Sequence, residues 1–94
     1  MEASADSHTG RQISLMRALA SRSIDGPTFA RRWLDERRRA MSVGERLGGA
    51  LENALDEVFC VLEEYSIDPD LRDPDDLTDE ELRDRVAAVL DRLM

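Results

Sequence analysis

Apolar residues in this chain return every three or four positions and nowhere alternate one on, one off. A half-buried strand needs period two and an amphipathic helix needs 3.6, so the pattern admits helices and excludes a sheet. The clearest run lies in 47–65, where Leu47, Leu51, Ala54, Leu55, Val58, Phe59, Leu62 and Tyr65 make one seam. The outer positions of the same run are acidic: Glu52, Asp56, Glu57, Glu63 and Glu64. It then meets Ser66-Ile67-Asp68-Pro69-Asp70-Leu71-Arg72-Asp73-Pro74-Asp75-Asp76, whose prolines and aspartates cannot continue a helix. One apolar seam therefore carries a dense surface of one sign, and that surface is the expected working part.

Three further helices follow from the same spacing. Residues 11–22 carry Ile13, Met16, Leu19 and Ala20 on one stripe, with Leu15 beside it. Residues 27–41 carry Phe29, Ala30, Trp33, Leu34 and Met41, after Asp25 as N-cap and Pro27 in the first turn. The third helix starts near Gly44 and kinks at Gly48-Gly49, or starts after that pair, and ends near Ser66. The fourth has the sharpest start: Thr78 with Glu81 three residues on is a capping box, and Leu82, Val86, Val89, Leu90 and Leu93 supply its stripe. The expected fold is all-α, a small antiparallel four-helix bundle, with residues 1–10 as a flexible tail and 11–94 as one domain.

At 94 residues the chain can bury about 60–65% of its unfolded surface, enough for one modest core and no deep cleft. Charge is divided unevenly. Residues 1–46 hold nine arginines against six acids, a balance of +3, and residues 47–94 hold four against fifteen, a balance of −11. Such a second half repels nucleic acid and draws a basic protein by long-range attraction. The Arg37-Arg38-Arg39 run invites a phosphate-binding reading. Successive helix residues point about 100° apart, however, and no aromatic is interleaved, so pairing with acids of the later helices is the expectation.

Catalytic and metal chemistry lack their residues. There is no glycine-rich phosphate loop, no Cys/His cluster and no nucleophile with a histidine base, so no enzyme activity and no cofactor are expected. His8 sits alone in the tail. The spaced aspartates after position 67 resemble a calcium loop, but the template wants Gly sixth and Glu twelfth. Counted from Asp68 those places hold Asp73 and Asp79, so no metal is expected. Cys60 is the single cysteine and is read as a small core thiol, which leaves no internal disulfide. With no apolar run of about 20 residues and no signal pattern, a cytoplasmic location is expected and no membrane partner.

Several local marks in order resemble the colicin D immunity protein family of small helical inhibitors. They are residues 24–29, Glu36-Arg37-Arg38-Arg39, Asp56-Glu57-Val58-Phe59, residues 63–70 with Asp68-Pro69-Asp70, and residues 86–90; the resemblance covers about 13–93. The acidic linker 71–77 and the Gly48-Gly49 pair depart from the family pattern. The resemblance implies an antitoxin that binds the nuclease domain of a cognate toxin, a tRNA-cleaving one in the best-known case, and covers its active site. The family's acidic positions match Glu63, Asp68 and Asp70. Carboxylates four residues apart on a helix rise about 6 Å, the scale of phosphates on one strand, so a rigid array can mimic a polyanionic substrate. The expected partner surface is Asp56, Glu63, Glu64, Asp68, Asp70, Asp73, Asp75 and Asp76, on a monomer that makes no direct contact with nucleic acid. The alternatives are an acidic helical adaptor, which admits a homodimer, and nucleic-acid binding through the second helix.

Overall fold

The computed structural model describes residues 8–44, 49–67, 74 and 76–93. Among them are four helices and no strand: α1 His8–Ala20, α2 Gly26–Ser42, α3 Gly49–Glu63 and α4 Asp79–Leu93. α1 packs on α2 and α4, α3 packs on α4, and α2 touches α4 more lightly. The end of α1 meets the start of α4 through Arg22 and Glu80 at 3.2 Å. Tyr65, just beyond α3, donates a 2.5 Å hydrogen bond to Asp79 at the start of α4. Arg92 at the end of α4 pairs with Glu57 in the middle of α3. Ends meeting starts in this way make an antiparallel bundle, as the helical periodicity requires.

The core is one cluster in which Met16, Phe29, Trp33, Val58, Leu82 and Val86 are fully buried. Phe29 and Trp33 tilt against each other with centroids 6.4 Å apart. The helix ends carry the expected chemistry. Asp25 accepts the Thr28 amide at 2.8 Å, and the Thr28 hydroxyl, together with that amide, holds the carboxyl below its ordinary value. Thr78 and Glu81 exchange reciprocal 3.1 Å bonds, closing the capping box. The end of α1 was not foreseen. Arg22 takes a left-handed φ of 64°, with Ser23 N–H on the Ala18 carbonyl and Arg22 N–H on that of Leu19, a Schellman turn built without glycine. Gly26 is required where α2 starts, because a Cβ there would lie 2.5 Å from the Tyr65 hydroxyl oxygen.

Four expectations need correction. α1 begins at His8, not near residue 11: Thr9 and Gln12 are each 2% exposed, and His8 Nδ1 lies 2.6 Å from Glu36 Oε2. This contact between distant residues draws the start of α1 onto α2. Cys60 is exposed. The buried stripe of α3 is Ala54, Leu55, Val58, Val61 and Leu62, and at about 100° per residue position 60 falls on the opposite side. Met41, expected on the apolar side of α2, is 70% exposed, one step off the buried Ala40. α3 ends at Glu63 rather than Ser66, in a turn where the Glu64 and Tyr65 amides bond back three residues. At its start, the helix begins within the glycine pair, at Gly49.

Candidate functional site

The surface in question begins on α3. Glu52, Asp56, Phe59 and Glu63 follow at steps of four, three and four, which places them on one stripe, its three acids exposed and Phe59 half-buried against the edge of the core. Asp56 is exposed but partnered: its carboxylate lies 2.9 Å from Arg37 of α2. Arg37 is itself largely covered, its guanidinium 4.6 Å from the Phe59 ring centroid and 5.8 Å from that of Trp33. Cation–π attraction to both rings and the ion pair to Asp56 thus fasten α3 to α2. Trp33 and Arg37 are one helical turn apart, a spacing visible in the sequence. Their meeting with Phe59 is a product of the fold.

The arginine run divides as its geometry dictates. Arg37 reaches across to a later helix. Arg38 and Arg39 turn back to Asp35 of their own helix at 2.5 and 3.1 Å. On α4, Glu80 is engaged by Arg83 and Arg22, which hold its carboxyl below the ordinary value, and the Glu80 carboxylate in turn raises the Arg83 guanidinium above its own. Asp56, Glu57, Glu80 and Asp84 of the acidic half are therefore paired locally.

Glu63 and Glu64 are set apart by their place on the helix. Both are exposed, and among the described residues neither forms an ion pair. They stand at the C-terminal end of α3, whose last turn holds no basic residue. That end of a helix carries partial negative charge from its unpaired carbonyls, so acids there are placed against the local electrostatics. The backbone beside them is pinned, because the Leu77 amide donates to the Glu64 carbonyl at 3.0 Å. Leu77 and Tyr65 are both buried below this junction. The two ends of the acidic connection are thus brought together next to Glu63 and Glu64. Asp76, at its far end, is half-buried and has partners of its own. Asp68, Asp70, Asp73 and Asp75 lie outside the described residues.

Among the described residues no group of three or more His, Cys, Asp or Glu side chains is disposed to hold a metal ion, and no helix is long and apolar enough to cross a membrane. A protein-family model described as bacterial self-protective colicin-like immunity matches residues 9–93. The chain belongs to that family. Membership covers all four helices and implies a bacteriocin immunity protein, an inhibitor that binds a colicin-like toxin rather than an enzyme. No curated protein and no solved structure matches the immunity chain closely enough to add to this.

Proposed function

We propose that this immunity protein neutralises a nuclease toxin, a tRNase, by laying an acidic surface into the toxin's basic active site. Glu63, Asp68 and Asp70 are the central contacts, Glu64, Asp73, Asp75 and Asp76 widen the field, and Asp56 stands at the margin because Arg37 already neutralises it. The observation that carries the reading is the pair of exposed carboxylates, without an ion pair among the described residues, at the wrong electrical end of α3. Residues that break a local stability rule without local compensation point to function. A ribonuclease cleft is lined with cations to hold a polyanion, and a rigid row of carboxylates competes for the same positions. Holding α3 through Arg37 and closing the connection at Glu64–Leu77 lowers the ordering cost on binding. The net charge of −8 speeds encounter with a cationic partner.

The test is co-expression with the candidate toxin. Reversing Glu63, Asp68 and Asp70 together to Lys abolishes protection while far-UV circular dichroism stays unchanged, and wild-type binding weakens as salt rises. Protection by the triple variant would move the inhibitory surface elsewhere. A second reading, an adaptor that pairs with itself, has one observation in its favour: Met41 and Val43 are 70% and 64% exposed at the end of α2. Light scattering on a size-exclusion column that reports a monomer, unchanged by Met41→Glu, removes it.

A further inference from the structure

A second surface lies on the other side of the bundle and has the opposite character. Arg11, Ser14, Leu15 and Ala18 of α1, at steps of three, one and three, line a groove with Ile24 of the following turn and Arg32, Asp35 and Glu36 of α2. Its volume is 370 Å³, the size of one or two large side chains rather than of a nucleotide chain. Leu15, Ala18 and Ile24 are half-buried and form an apolar floor. The rim holds both signs, but the acids are already engaged. Asp35 sits between Arg38 at 2.5 Å and Arg39 at 3.1 Å. Glu36 has His8 at 2.6 Å, with Arg11 and Arg39 each at 3.9 Å. Arg32 is exposed and, among the described residues, makes no ion pair, while Arg11 remains half exposed beside it. Arg32 is thus the least engaged charge at this rim.

We propose that the α1–α2 groove docks a short polypeptide segment of a partner protein, an apolar side chain flanked by carboxylates. The apolar group fills the floor over Leu15, Ala18 and Ile24, and a flanking carboxylate takes the guanidinium of Arg32, with Arg11 adding to the field. Charge complementarity selects this occupant. A lysine-flanked segment would face Arg32, which makes no ion pair among the described residues, and a nucleic acid strand is larger than a groove of 370 Å³. The site is independent of the acidic surface on α3, so its fate does not decide the inhibitory role, nor the reverse.

The experiment is an NMR titration of the full chain with the peptide acetyl-Glu-Leu-Leu-Glu-amide at low salt. Acetyl-Lys-Leu-Leu-Lys-amide and a single-stranded oligothymidylate run in parallel. The acidic peptide shifts the methyl signals of Leu15, Ala18 and Ile24 saturably, Arg32→Ala weakens it about three- to fivefold, and Arg85→Ala, an exposed arginine on α4, leaves it unchanged. Equal binding of the lysine peptide or of the oligonucleotide, shifts away from the groove, or no shift at all would overturn the proposal. So would concentration-dependent shifts of the same methyls without peptide, which would make a second copy of the chain the occupant.

Discussion

Neutralising Glu63 and Glu64 is expected to make this protein more stable, not less. Each side chain sits where the α3 carbonyls already carry negative charge, and neither has an arginine to offset it among the described residues. A wrong-sign charge at a helix end costs about 0.3–1 kcal/mol at low ionic strength, and full exposure favours the lower half of that range. The double change Glu63→Gln, Glu64→Gln is therefore worth about 1 kcal/mol, or about 4–8 °C in Tm for a domain of this size. Glu52→Gln is the control. It removes the same kind of charge from the same exposed stripe, but from the first turn, where an acid suits the positive helix end. Thermal melts followed by circular dichroism in 10 mM buffer should move up for the double variant and down for Glu52→Gln. Both shifts should shrink in 0.5 M salt. Melts that all rise would mean that net charge alone sets the effect, and a fall for the double variant would show that Glu63 and Glu64 stabilise the fold. Either outcome would remove the case for a surface kept at the fold's expense. Coupled with lost protection, the predicted gain is the signature of a binding site in tension with stability.

Arg37→Met keeps the stem against the rings but loses two cation–π contacts and the bond to Asp56, about 2 kcal/mol in all, while Asp56→Asn loses about 0.5 kcal/mol. Urea unfolding of the two single variants and the double variant checks this, and an Arg37→Met loss no larger than that of Asp56→Asn would refute the ring contacts. Gly26→Ala drives a methyl into the Tyr65 hydroxyl and costs about 1–3 kcal/mol, and Tyr65→Phe in the same chain restores part of it by removing the obstructing oxygen. The carboxyl of Asp25 is held below its ordinary value of 3.8, so its capping contribution is complete above that pH. It begins to fall as pH drops past that value and is gone below the lowered native one; Asp25→Asn, which still caps, flattens that part of the stability-against-pH curve.

The helix count, the capping box, the Asp25 cap and the acidic bias of the second half were legible because each is written in local spacing or residue type. Period decides helix over strand, and a capping box needs only residues three apart. Residue type does not fix position. A single cysteine reads as a small core thiol, yet its angle on α3 points Cys60 to solvent. The small, polar residues 1–10 read as a tail, yet His8 meets Glu36, 28 residues away.

Sequence alone therefore settled which segments are helical, where α2 and α4 begin and which half of the chain is negative. Only the packed bundle decided which of those charges are available. A carboxylate's availability depends on whether an arginine lies within about 4 Å, and that distance is set by helices that meet far from each other in sequence. Packing brings Arg37 to Asp56 and Arg92 to Glu57, and it leaves Glu63 and Glu64 unmatched among the described residues, at the end of α3 where negative charge is least welcome.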